Sequence, residues 1–159
     1  MKEIKSILIP IDFSENAQNI ADAAIYVAGA FKARLSFVFV VQDFEDYTGF
    51  MTPPVNMLNL KEEIFDSAQL QMNTFIEKCE KECANAGIPH VEGKILTGDI
   101  AEEIMQYVTT NKCDMIVMGT HGYKGFERII FGSVADKVVK NSCCPVMTIN
   151  PYQETCEER

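Results

Sequence analysis

Short apolar runs alternating with segments of helical spacing constrain this chain more than any other feature of it. Lys5-Ser-Ile-Leu-Ile-Pro-Ile11 and Leu35-Ser-Phe-Val-Phe-Val-Val41 are nearly unbroken by polar residues, as expected of strands covered on both faces in a parallel sheet. His90–Leu96 alternates more and belongs nearer an edge; Met115–Met118 reads as a fourth strand and Pro145–Ile149 as a fifth. Helical patterns separate them. From Ala17 the apolar positions 17, 20, 21, 24, 27, 28 and 31 recur at helical spacing, with Ser14 as the expected N-cap. Leu60–Ala86 carries a stripe of Ile64, Ala68, Met72, Phe75, Cys79, Cys83 and Ala86, stopped by Gly87 and Pro89. Asp99 and Glu102 predict a capping box for a helix to about Asn111, and Ser133–Asn141 is a short fourth helix. Residues 42–59, with Thr52-Pro-Pro-Val55, are expected to form an irregular lid or contact loop. This order implies an α/β domain: a parallel sheet with helices on both faces and right-handed crossovers.

A chain of 159 residues fits one such domain and can bury a sizeable core without disulfide or metal staples. Its first apolar run is too short for a signal peptide and is interrupted by Asp12, and nowhere do about 18 apolar residues run together. A soluble, cytoplasmic protein with no membrane partner is expected. The net charge of −9 argues against nucleic-acid binding, which requires basic surfaces. Six cysteines without paired spacings read as reduced thiols, the adjacent Cys143 and Cys144 as buried or interfacial ones.

Within this frame one segment stands out. Gly119, Gly122, Gly125 and Gly132 are four of the chain's nine glycines, and they lie after the fourth strand and before a helix opened by Ser133. The spacing is neither that of the Walker loop nor that of the dinucleotide fingerprint. The physical device survives without either: bare backbone, a hydroxyl and a helix N-terminus offer N–H groups and a favourable dipole to an anion. The stretch from Gly119 to Lys140 also carries Lys124, Arg128, Lys137 and Lys140 against only Glu127 and Asp136. Lys124 and Arg128 read equally as solvated charges and as phosphate contacts, and Asp12 reads as a cap or as a ligand contact. His121 reads as a surface-loop residue, with no nucleophile or orienting group to pair with it.

Gly119-x2-Gly122-x9-Gly132-Ser133 resembles the signature of the nucleotide-binding universal stress proteins. Ile9-Pro-Ile-Asp-Phe-Ser14, Gly98-Asp-Ile-Ala-Glu-Glu-Ile104, Met118-Gly-Thr-His-Gly122 and Asn141-Ser-Cys-Cys-Pro-Val-Met-Thr-Ile149 extend the resemblance along nearly the whole chain. It implies an adenine nucleotide alpha hydrolase-like fold over residues 1–150, a five-stranded sheet in the order 3-2-1-4-5, and a polar tail over 151–159. That order puts Asp12 and Gly119 beside the crevice in which open α/β sheets bind ligands. By the resemblance, Pro10, Ile11, Asp12 and Val40 line the adenine and ribose end. Met118, Gly119, Gly122, Gly132, Ser133 and Val134 serve the ribose and phosphate end. The implied ligand is ATP, AMP or ADP, with Mg held through the phosphates, and the implied assembly is a homodimer through Val146–Ile149. Three functions follow for comparison: a nucleotide-binding regulatory protein of the stress response, a dimeric interaction protein with little nucleotide dependence, and a slow ATPase.

Overall fold

The computed structural model of the chain describes residues 3–42, 55–120 and 132–151, with the backbone alone for 55–59. In chain order the elements are β1 (Ser6–Pro10), α1 (Ala17–Phe31), β2 (Arg34–Gln42), α2 (Val55–Asn85), β3 (Val91–Gly98), α3 (Ile100–Asn111), β4 (Met115–Gly119), α4 (Ser133–Asn141) and β5 (Val146–Ile149). The strands form one sheet in the order β3-β2-β1-β4-β5, and every neighbouring pair is parallel. This is the expected doubly wound α/β fold, with β3 and β5 at the edges.

Strand pleating sends alternate residues to opposite faces. Ile7, Ile9, Leu35, Phe37 and Val117 therefore pack with α1 and α2 on one face. Leu8, Val38, Val40, Ile116 and Met118 pack with α3 and α4 on the other. The amino ends of the strands are fastened by polar groups. Asp114 accepts the backbone N–H groups of Lys5 and Ser6 at 3.0 and 3.1 Å, and Arg34 Nε donates to the Ser6 hydroxyl at 3.0 Å. These bonds hold β1 and β2 in register from below, leaving their carboxyl ends to build the site.

Several expectations need correction. Ser14 is not the N-cap of α1; Asn16 precedes the helix without a side-chain bond, and Ser14 contributes its carbonyl to the Ala17 N–H at 3.0 Å. Asp99 does cap α3, accepting from the Ala101 and Glu102 N–H groups at 3.1 Å each. The connection expected over 42–59 is shorter, because Gln42 belongs to β2 and α2 starts at Val55; residues 43–54 lie outside the described ones. Ile64 is 42% exposed and Phe31 48% exposed, so neither is core. For Ile64 the reason is length: the 31-residue α2 spans about 46 Å at 1.5 Å per residue, whereas the strands it covers reach at most about 30 Å; Phe31 is the last residue of α1.

The thiols also divide. Cys79, Cys83 and Cys113 are buried, as expected, whereas Cys143 is exposed and Cys144 half-buried. Burial pushes the Cys83 thiol up to about 11, helped by the neighbouring Cys79, Glu82 and Glu80. The described cysteines are all free. Among the described residues no helix is long and apolar enough to cross a membrane.

Candidate functional site

The chain leaves β1 toward β2 and β3, then returns to β4 and β5. Connections from the carboxyl ends of β1 and β4 consequently diverge to opposite faces of the sheet, and a crevice opens between them. A cleft of about 460 Å³ occupies this place, within the range of small-molecule sites.

Three chain segments build its centre. Along the first, the Ile11 N–H still bonds to the Val38 carbonyl at 2.9 Å, so the β1 ladder runs on past its last strand residue before the chain turns at Asp12 and Phe13. Asp12 Oδ1 accepts the Ser14 N–H at 3.0 Å, which fixes the carboxylate in the turn while Asp12 lines the cleft. Asp12 thus caps no helix; it is held by a local turn bond and lines the cleft. The second segment is the end of β4, where the Thr120 N–H bonds to the Ile149 carbonyl at 2.8 Å. The Thr120 carbonyl in turn accepts the Gly132 N–H at 2.8 Å, pinning the third segment, the start of α4, beside the end of β4.

Gly132 precedes α4 without any side-chain cap, and the first intrahelical bond there runs from the Asp136 N–H to the Gly132 carbonyl at 3.0 Å. The N–H groups of Ser133, Val134 and Ala135 precede that bond and have no intrahelical acceptor. They and the Ser133 hydroxyl stand at the positive end of the helix dipole. Gly132 itself has φ −63° and ψ 155°, backbone that any residue adopts. What glycine contributes here is the absence of a side chain.

Ile11, Ile20, Ile100 and Ile104 give the cleft apolar walls from both faces of the sheet, whereas Asp12, Gln42, Thr120 and Ser133 offer polar side chains and Gly119 and Gly132 bare backbone. Asp12 is the one ionisable side chain lining the cleft among the described residues. Of the cations anticipated around α4, Lys140 pairs with Asp136 at 2.8 Å and Lys137 lies 3.8 Å from Asp99. Lys124, Arg128 and His121 lie outside the described residues. Among the described residues no cluster of three His, Cys, Asp or Glu side chains is placed to hold a metal ion.

Of the residues singled out in the sequence, Pro10, Ile11, Asp12, Met118, Gly119, Gly132, Ser133 and Val134 come together around this one cleft. Val40 does not line it; its side chain is 7% exposed and packs into the α3–α4 face of the core. Gly122 lies outside the described residues. Sequence reasoning missed Ile20, Gln42, Ile100, Ile104, Thr120 and Ala135. Three of these had a readable signal: Gln42 is a polar residue ending an apolar strand, and Ile100 and Ile104 share one face of α3 at i, i+4 spacing.

The model of the universal stress protein family matches residues 3–150. The chain belongs to that family. A universal stress protein of Methanocaldococcus jannaschii is 34% identical over 145 residues, covering 91% of this chain and 81% of its relative. The universal stress protein UspA of Lactobacillus plantarum shares the fold with a TM-score of 0.79 at 23% identity, covering 94% of this chain and all of the other. Two further structures share it with their ligands bound. One is a family protein of Arabidopsis thaliana with AMP, at TM-score 0.61 and 19% identity, covering 97% of this chain and 94% of its own. The other is a universal stress protein in complex with cAMP, at TM-score 0.65 and 16% identity, covering 94% and 99%.

Proposed function

We propose that this universal stress protein binds an adenine nucleotide, ATP foremost, as a regulatory ligand in a cytoplasmic stress response. The observation that carries the reading is the uncapped start of α4 at Gly132 and Ser133 opening into a cleft that also has apolar walls and the polar groups of Asp12 and Gln42. A nucleotide combines the same two kinds of surface. Its base is flat and apolar with a hydrogen-bonding edge, and its phosphates are anions suited to helix N–H groups. AMP and cAMP in two proteins of the same fold support the choice of adenine.

In this reading Asp12 accepts from a ribose hydroxyl or the base, and Gln42, whose amide both donates and accepts, meets the base edge. Ser133 and the N–H groups behind Gly132 take the phosphates, with Gly119 allowing close approach and Gly122 belonging to the same phosphate loop. A Mg ion fits as a partner of the phosphates and water rather than of a protein cage, because among the described residues the cleft offers it one carboxylate, Asp12, beside the neutral oxygens of Gln42, Thr120 and Ser133. We also assign residues 1–150 to the nucleotide-binding domain and residues 151–159 to a tail outside it.

A second reading, a dimeric interaction protein, is favoured by β5, a four-residue edge strand with Met147 39% exposed. Both hold together if the dimer is the form that presents the nucleotide state. Mass spectrometry of ligand released from gently purified protein, with calorimetry of ATP in Mg, tests the first reading. Adenine nucleotide in near-stoichiometric amount is the expected result. A folded protein that carries none and binds none in calorimetry leaves only the second.

A further inference from the structure

Three described non-glycine residues have positive φ: Phe13 at 54°, Lys32 at 51° and Lys112 at 52°. The two lysines are helix C-caps, whose N–H groups satisfy the last carbonyls of α1 and α3, and a left-handed residue is an ordinary ending there. Phe13 ends no helix. It lies in the turn out of β1, directly after Asp12, and an aromatic residue in this region persists only where its surroundings hold it.

The surroundings are aromatic. The Phe13 ring lies 4.7 Å from Phe39 of β2 and 6.3 Å from Phe75 of α2, edge-on to the latter, and Phe75 is in turn 5.4 Å from Phe37. The ring is thereby anchored on the α1–α2 face, while Asp12 lines the cleft. The left-handed step between them lets the Ser14 N–H return to Asp12 Oδ1 at 3.0 Å. Ring, backbone and carboxylate form one chain of constraint. Glycine would adopt this conformation more cheaply, so a phenylalanine here points to a use for the ring.

We propose that Phe13 is a positioning residue: its aromatic anchor holds the left-handed turn that fixes the Asp12 carboxylate in the cleft. The proposal deepens the nucleotide reading and takes its ligand from it. Simple core packing is the competing role, and it predicts loss of stability without any link to Asp12.

The experiment uses the full chain with Phe13→Gly, Phe13→Tyr, Asp12→Asn and the Phe13→Gly/Asp12→Asn double variant, each shown to be folded by circular dichroism. ATP affinity should fall about tenfold in Phe13→Gly and stay within about twofold of wild type in Phe13→Tyr, which keeps the ring. In the Asp12→Asn background Phe13→Gly should change affinity by less than about twofold, because the group it acts through is already altered. A second readout needs no nucleotide. The Ser14 amide resonance should move when the Asp12 carboxyl is protonated in wild type, and lose that response in Phe13→Gly. Equal losses of ATP affinity in both backgrounds, or a Phe13→Gly protein that keeps the Ser14 response, overturn the proposal. Wild-type protein that binds no ATP, with the Ser14 response still lost in Phe13→Gly, overturns the nucleotide reading and leaves the positioning role standing.

Discussion

At the scale of single residues, the proposed site rests on glycines without side chains and on a few polar side chains. Gly132 illustrates the first. Its dihedrals suit any residue, so valine there costs little as backbone and acts instead by placing a branched side chain at the mouth of α4. Gly132→Val is expected to fold and to bind ATP at least about tenfold more weakly in calorimetry; unchanged affinity would place the phosphates elsewhere. Gln42 illustrates the second. It lines the cleft at the end of β2, and in the proposed complex its truncation would remove hydrogen bonds to the base edge and leave the phosphate contacts in place. Gln42→Ala should reduce the preference for ATP over GTP by on the order of tenfold while leaving the binding of tripolyphosphate unchanged. Equal losses for ATP and tripolyphosphate would remove Gln42 from base recognition. Neither role was legible beforehand in the same degree. Gly132 belongs to a spaced motif within one segment, whereas Gln42 meets its neighbours only when β2 is laid beside β1 and the start of α3.

Whole elements were legible where burial dictates composition. β1 and β2 are covered on both faces, so nearly every residue is apolar and the runs stand out; β3 at the edge buries only Ile95 and carries polar residues. The misjudged stretches are those where an element exceeds what it covers. The N-terminal part of α2 overhangs the sheet, so Leu60, Ile64 and Phe65 keep helical spacing while remaining exposed. The β2–β3 edge also has a polar feature no pattern announced. Ser36 and Tyr107 both donate to Glu92 Oε1, at 2.9 and 3.1 Å, and Lys94 lies 4.0 Å from the other oxygen. Partial burial opposes ionisation of Glu92, but the two hydrogen bonds, with Lys94 and His90 nearby, outweigh it and hold the carboxyl below its ordinary value of 4.5. A depressed folded-state value means that the unfolded chain binds the proton more readily, so this contribution is full above about pH 4.5 and is lost as pH falls through the folded value. Thermal melts from pH 6 to 3 should therefore show a smaller acid-side loss in Glu92→Gln than in wild type. Parallel profiles for the two proteins would mean that other carboxylates set the acid limit.

At the scale of the molecule, the two edges of the sheet are unequal. β5 is short and ends the chain's last β-segment, with Met147 exposed beside the strand pair it forms with β4. An edge strand that nothing covers is a pairing template, and a second copy meeting β5 around a two-fold axis would set like residues near one another. Light scattering should find a dimer at micromolar concentration, and Met147→Lys, which brings two positive charges together, should shift it toward monomer; a monomeric wild type would sink the idea. The same overall view bears on chemistry. Phosphoryl transfer needs the phosphates held, developing charge neutralised and a nucleophile oriented. The start of α4 and a phosphate-bound Mg supply candidates for the first two. For the third, the cleft offers among its described residues one ionisable side chain, Asp12, whose Oδ1 is already engaged by the Ser14 N–H. Hydrolysis of ATP should accordingly run far below about 1 per second, the low end of ordinary enzyme turnover. Ser133→Ala should weaken ATP binding without abolishing a catalytic rate, whereas His121→Ala should change neither. Steady-state phosphate release at or above that rate, lost in His121→Ala while ATP affinity holds, would make the protein an ATPase with His121 as the residue that orients water.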